Sequence, residues 1–286
     1  MTPVSNRPKG KQKRGSGRVA TKRDEAGLRD IAHQFVQARR SAAALPDYPG
    51  TMPADLDTGY AIQDHAILAY AEPVVGWKVG KVPPEHVDRF GAVRLAGPIF
   101  PSHIRSGDAV SLDMPVFTGG FGAAEAEFLL RLGADAPAGK TTWTCDEAAD
   151  LVGAVHVGIE IASSPFPGIN EHGPAVTVSD FGNNNGLVVG PAIPDWRDSG
   201  FEHWPVETAI DGEVVGRATA ADMLDGAVGA VRFLLELLAG RGIAAPAGLW
   251  VSTGAVTGVH PVRIGQHVMA RFGDDDRMEC TICEAR

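Results

Sequence analysis

Two stretches limit the architecture of this chain more than any others: Phe121-Gly-Ala-Ala-Glu125-Ala-Glu127-Phe-Leu-Leu130 and Val155-His-Val-Gly-Ile-Glu160-Ile161. The second has the period-two alternation of a strand, with Val155, Val157, Ile159 and Ile161 on one face and His156, Gly158 and Glu160 on the other. If the first is also a strand, Glu125 and Glu127 share a face, opposite Ala124, Ala126 and Phe128. Two carboxylates pointing into one space repel each other. Either a proton or a hard, oxygen-liganded divalent cation then has to neutralise them, and Glu160 is the natural third ligand. The alternative for the first stretch is local. Ala, Glu and Leu are good helix formers, so 123–132 could instead be a surface helix with solvated carboxylates.

Length and composition restrict the partners. A chain of 286 residues can bury a large core, and no apolar run reaches the roughly 20 residues that span a bilayer. With no apolar signal-peptide core at its start, the chain reads as cytoplasmic. Residues 1–23 hold eight Lys or Arg and no acid, leaving 18 basic against 35 acidic residues in the remainder, a net of −17. The body is therefore acidic, which excludes a specific nucleic-acid surface. The basic leader reads as a disordered tail with weak affinity for polyanions. Cys280 and Cys283 have metal-like spacing, but there is no second pair or nearby His, so they read as part of a terminal strand.

The order of elements divides the chain into the tail 1–23, a helical subdomain 24–75 and a β-rich body 76–286. Leu28, Ile31, Ala32, Phe35 and Val36 recur at helical spacing, Pro46 to Pro53 breaks the chain, and a second helix runs from about Asp55 through Tyr60 to Leu68. Val74 to Val82 is β-prone and carries Lys78 between Trp77 and Val79. That lysine reads either as an edge-strand guard or as a functional amine. Residues 109–112 extend a series of short strands, and Thr144-Cys-Asp-Glu147 looks like a capping box. A long irregular segment follows Glu160. Asp180 to Gly186 is a polar loop in which Asn185-Gly186 marks either a hairpin turn or a ligand contact. Asp211-Gly212 is a hairpin turn, residues 220–239 form a long amphipathic helix closed by Gly240, and 249–254 and 266–272 are strands.

Taken together, Leu56-Asp-Thr-Gly-Tyr-Ala-Ile-Gln63, Gly76-Trp-Lys78-Val-Gly80, Glu125-Ala-Glu127, Gly158-Ile-Glu160-Ile161, Asp180 to Gly190, and Thr253-Gly-Ala-Val-Thr257 with Pro261-Val-Arg-Ile-Gly265 resemble the fumarylacetoacetate hydrolase superfamily. The branch resembled is that of 2-keto-4-pentenoate hydratases and 4-oxalocrotonate decarboxylases, and the segments keep the family's order over roughly residues 24–273. The resemblance implies an α+β fold, a mixed β-rich roll with a helical N-terminal subdomain, in a homo-oligomer. It implies Mg2+ or Mn2+ on Glu125, Glu127 and Glu160, Lys78 as the catalytic lysine, and Asp180, Asn183 and Thr253 as substrate-binding residues. Three segments depart from the branch. Arg94-Leu-Ala-Gly97 stands where hydratases carry a Pro-Asp-Tyr-Gly-like segment, Ala162-Ser-Ser-Pro165 replaces Asp-Ser-Arg, and Asp180-Phe-Gly-Asn183 replaces Asp-Asn-Ala-Ser.

The activity implied is a hydratase, a lyase acting on a 2-oxo or 2-hydroxy-alkenoic acid such as 2-hydroxypenta-2,4-dienoate. Such an acid chelates a hard cation through its carboxylate and keto oxygens, which favours the enolate. Lys78 would either move protons with a lowered pKa or stay charged and hold the substrate carboxylate. The same site would serve a 2-oxo-enedioate decarboxylase or an acylpyruvate-type C–C hydrolase, and a binding protein that has lost catalysis is the alternative of a different class.

Overall fold

The computed structural model describes residues 22–107 and 112–286. Residues 1–21 of the expected tail 1–23, and 109–111 of the strand expected over 109–112, lie outside them, while Lys22 and Arg23 belong to the first helix rather than to a tail. In chain order the helices are α1 (Lys22–Arg40), α2 (Leu56–Tyr70), α3 (Pro84–Phe90), α4 (Cys145–Leu151), α5 (Pro174–Ser179) and α6 (Gly226–Gly240). The strands are β1 (Gly76–Lys81), β2 (Arg94–Ile99), β3 (Ile104–Ser106), β4 (Asp113–Val116), β5 (Phe121–Leu132), β6 (Val152–Ser164), β7 (Asn184–Ala192), β8 (Val206–Ile210), β9 (Glu213–Ala218), β10 (Trp250–Ser252), β11 (His260–Pro261), β12 (His267–Phe272) and β13 (Asp276–Glu284). Among the described residues, no helix is long and apolar enough to cross a membrane.

Two mixed sheets result. The larger has the order β2-β1-β10-β5-β6-β7-β3 with β11 alongside β5, and the smaller has the order β4-β13-β12-β8-β9. β5 and β6 pair antiparallel over almost their whole length, which sets Glu125 opposite Glu160 and Glu127 opposite Gly158. The alternation is realised on both strands. Ala124, Ala126, Phe128 and Leu130 pack with Val155, Val157, Ile159 and Ile161 in the main core, together with α6 and the smaller sheet. Phe128 touches Phe201 and Phe272 edge to face, with ring centroids 4.9 and 5.3 Å apart. The other face of β5 is buried as well, so the carboxylates lie inside the protein, and the surface-helix alternative falls.

The helical segment belongs to the same body. Ile31, Phe35, Val36, Tyr48 and Ile62 form a second core with Phe100, Phe166, Val176 and Phe181. From α2, Gln63 Nε2 donates to the carbonyls of Ala96 and Val178, and the Tyr60 hydroxyl accepts from Ala96 N. Both side chains are buried against the β2 segment that departs from the family pattern.

Three local expectations change. Lys78 is not an edge residue, because β1 lies between β2 and β10 and the side chain is buried. Asn185-Gly186 is not a turn, since β7 begins at Asn184 and runs through both residues. The helix expected over 220–239 starts at Gly226. A 3-10 turn, Ala220–Asp222, is closed by a Thr219–Asp222 capping box, and Asp225 and Gly226 then take positive φ of 39° and 70°. Arg94 secures the break by donating to Asp225 and to the Leu224 carbonyl. Other expectations hold: Thr144 and Glu147 form a reciprocal capping box, and Asp211 and Gly212, both at positive φ, turn β8 into β9. Cys280 is buried on β13, Cys283 is half-buried, and both are free thiols.

Candidate metal centre

Five neighbouring strands present their polar residues to one space. β1 contributes Lys78, β10 Ser252, β5 Glu125 and Glu127, β6 Glu160, and β7 Asn184. The three glutamates are 3%, 0% and 0% exposed, and one carboxylate oxygen from each lies within 4.8 Å of the other two. Gly158 makes this possible opposite Glu127, since a Cβ there would fall 2.3 Å from Leu129 Cδ1 and 2.7 Å from the Val188 carbonyl.

Hydrogen bonds leave one oxygen of each carboxylate unused. Glu127 Oε2 accepts from the Ser252 hydroxyl and from Gly254 N at 3.1 Å. Glu160 Oε1 accepts from Asn184 Nδ2 at 2.8 Å. Glu125 Oε1, Glu127 Oε1 and Glu160 Oε2 are buried with no hydrogen-bond partner. Buried polar atoms without hydrogen bonds are costly, and three carboxylates that bring an oxygen each within 4.8 Å of one another are the donor set that a hard divalent cation takes up. The residues therefore fit a divalent metal.

Electrostatics point the same way. Burial pushes Glu125 up to about 7, with the Lys78 charge pulling it down and Glu160 pushing it further up. Burial also holds Glu127 well above the usual carboxylate range, reinforced by Glu160 and Glu125. The Lys78 ammonium lies 3.4 Å from Glu160 Oε2 and donates to Asn183 Oδ1 at 2.9 Å. Burial works against its charge, but Glu160, Glu125 and Glu127 outweigh that and raise its pKa above the ordinary lysine value. Of the two readings open for Lys78, a lowered pKa or a retained charge, this direction favours the second.

Beside the carboxylates opens a cavity of about 620 Å3, with Lys78, Glu125, Asn170, Asn183 and Thr253 on its wall. Much of its remaining wall is apolar, including Val79, Leu95, Phe121, Met223 and Val256. Thr253 donates its hydroxyl to the Phe128 carbonyl, and Asn183 Nδ2 donates to Asn170 Oδ1. Asp180 is placed elsewhere. Both its oxygens face the Arg39 guanidinium at 2.6 and 3.0 Å, and Ser164 donates to Oδ2, so its carboxylate does not line the cavity.

Three residues at the site were not picked out by the sequence. Ser252 lies beside Thr253 in a β segment, Asn184 lies in the polar stretch 180–186 with no role of its own, and Arg39 reads as an ordinary basic residue in the last turn of a helix. Only the register of distant strands gives them their partners.

No family model and no curated protein sequence matches this chain. Solved structures do. 4-Oxalocrotonate decarboxylase from Pseudomonas putida G7, complexed with magnesium and adipate, aligns over 93% of this chain and 100% of its own with a TM-score of 0.75 at 19% identity. Fumarylpyruvate hydrolase from Pseudomonas aeruginosa, in complex with Mn2+ and pyruvate, covers 74% of this chain and 91% of its own with a TM-score of 0.53 at 16% identity. 2-Hydroxyhepta-2,4-diene-1,7-dioate isomerase from Mycobacterium marinum covers 74% and 77%, with a TM-score of 0.53 at 16% identity. At these identities the likeness bears on architecture, and the chain has the fold of the fumarylacetoacetate hydrolase family in the form that 4-oxalocrotonate decarboxylase shares.

Proposed function

We propose that this protein is a divalent-metal-dependent enzyme that processes 2-oxo acids through their enols, and that its reaction is the hydration of a 2-hydroxy-alkenoic acid such as 2-hydroxypenta-2,4-dienoate. The observation that carries the reading is the convergence of three buried carboxylates beside a buried lysine and a largely apolar cavity. Mg2+ or Mn2+ held by Glu125, Glu127 and Glu160 would supply positive charge for binding the carboxylate and 2-oxygen of the substrate and for stabilising negative charge that develops there. Magnesium and Mn2+ in the similar structures support that assignment.

The chain's own groups have distinct tasks. Lys78 Nζ, oriented by Asn183 Oδ1, carries N–H groups toward the carboxylates and is the proton carrier for the substrate carbons next to the enol. Thr253 keeps hydroxyl lone pairs free while donating to Phe128, so it can accept a hydrogen bond from substrate. Asn170 and Asn183 form a polar edge, and the apolar wall excludes water from the hydrocarbon end of the substrate.

Decarboxylation of a 2-oxo-enedioate is the second reading, favoured by the greater coverage and TM-score of the decarboxylase over the hydrolase. Incubation with Mg2+ and freshly generated 2-hydroxypenta-2,4-dienoate, followed by dienol absorbance and product mass, tests the first. A product heavier by one water supports hydration. A dicarboxylic 2-oxo acid that loses carbon dioxide supports the second, and inertness toward every 2-oxo acid sinks both in favour of a binding role.

A further inference from the structure

Arg39, the penultimate residue of α1, sends its guanidinium into the interior, where the side chain is 2% exposed. Its N–H groups reach six acceptors. Nε and Nη2 donate to the two Asp180 carboxylate oxygens at 2.6 and 3.0 Å, and Nη2 also donates to the carbonyls of Asp180 and Ser163 at 3.3 and 3.1 Å. Nη1 donates to the Asn184 carbonyl and to Asn185 Oδ1, both at 3.1 Å. The guanidinium carbon lies 5.0 Å from the centre of the Phe181 ring.

Five of these six acceptors bracket a short and unusual piece of chain. Phe181, Gly182 and Asn183 have φ of 55°, 59° and 59°, three consecutive residues in the left-handed region, where Phe is strongly disfavoured. The segment is also pressed against β2: a Cβ on Gly97 would come within 1.9 Å of the Phe181 carbonyl oxygen. Such a backbone persists only when its surroundings over-determine it. Arg39 grips Asp180 at one end of it and Asn184 and Asn185 at the other. The two residues that issue from it toward the site are Asn183, which accepts from Lys78, and Asn184, which donates to Glu160.

We propose that Arg39 is a positioning residue of the carboxylate–lysine site: from the N-terminal helix it clamps both ends of the left-handed segment 181–183, and so fixes Asn183 on Lys78 and Asn184 on Glu160. The helical segment is on this view part of the site's construction. The metal readout of this proposal rests on the function proposed above, whereas its backbone readout does not.

Hydrogen exchange in the full-length, chelator-treated protein tests the clamp directly. Arg39→Lys keeps a cation beside Asp180 but cannot span both ends, and it should speed amide exchange in 180–186 at least tenfold with the far-ultraviolet dichroism unchanged. Mn2+ affinity should fall roughly 10–100-fold, as when the partner of a metal ligand is lost. In Arg39→Ala, millimolar guanidinium should restore part of that affinity. Arg40→Lys, at an exposed neighbour that donates to the Ala69 and Tyr70 carbonyls and lies over the Tyr70 ring, is the control and should leave exchange in 180–186 as in the parent. Parental exchange in Arg39→Lys overturns the proposal, as does an equal acceleration in Arg40→Lys. Should Arg39→Ala fail to fold, Arg39→Lys alone decides. If the parent protein binds no Mn2+, the metal reading fails while the exchange result still judges Arg39.

Discussion

Glu125, Glu127 and Glu160 are buried at a density that ordinary protein interiors avoid, with one lysine to offset three carboxylates. Glu125→Ala removes one of the three converging oxygens, and calorimetry should then detect no Mn2+ binding; an unchanged affinity would remove the triad from consideration. Lys78→Ala should keep the metal and lose turnover by about 10²–10⁴-fold, the usual worth of a positioned proton carrier. Steady-state rates at saturating Mn2+ check this. The same burial predicts how stability depends on pH. Glu125 and Glu127 are raised above their unfolded values by burial, so their contribution is fully present below the unfolded pKa of 4.5 and is lost as pH rises through about 7 for Glu125. The chelator-treated protein should therefore melt at progressively lower temperature between about pH 5 and pH 7.5, and Mn2+ should flatten the trend. A midpoint that rises with pH in chelator would contradict the assignment.

At the scale of elements, the site is a property of strand order. No single strand carries more than two of its acidic groups, and the antiparallel register of β5 and β6 brings the third opposite the first. The alternation that makes these strands legible in sequence also decides which side chains face inward, so Glu125, Glu127 and Glu160 were readable as one set. The β2 contact with the left-handed segment was not. It depends on the absence of a Cβ at Gly97, whose Lys78-paired position on β2 abuts the Phe181 carbonyl. Gly97→Ala should cost at least the roughly 1–3 kcal/mol typical of overpacking, and it should accelerate hydrogen exchange around Phe181 before it affects the smaller sheet. Denaturant melts and exchange mapping check both halves of that expectation.

For the whole molecule, the two sheets share one core in which Phe128, on the far face of the strand that carries the glutamates, is the joint. It contacts Phe201 and also Phe272 of the smaller sheet. Phe128→Ala should destabilise the protein by about 3–5 kcal/mol and lower the melting midpoint by on the order of 10 °C. Mn2+ affinity of the folded protein should stay near the parent's, because the face bearing the carboxylates is untouched. The α1 and α2 helices are packed into a second core with Phe100, Phe166 and Phe181 rather than standing apart, which places helix residues such as Arg39 in reach of the site.

What the sequence determined by itself is what depends on near neighbours. Period-two alternation put three glutamates on the polar faces of two strands, Thr144 and Glu147 announced their helix cap, and Asp211-Gly212 announced its turn. Gly240 marked the end of α6 correctly, but the start expected at Ala220 did not hold, because the break before Gly226 is held from β2 by Arg94. Tertiary structure alone decided that Asp180 faces Arg39 rather than the cavity, that Ser252 and Asn184 hold Glu127 and Glu160, and that Lys78 is interior and faces Glu160. The reason is one of range. A strand's face is set by residues two apart, whereas the acceptors of Arg39 lie more than a hundred residues away, and Asn184 and Ser252 lie 24 and 125 residues from the glutamates they hold, so these groups come together only when the sheet order closes.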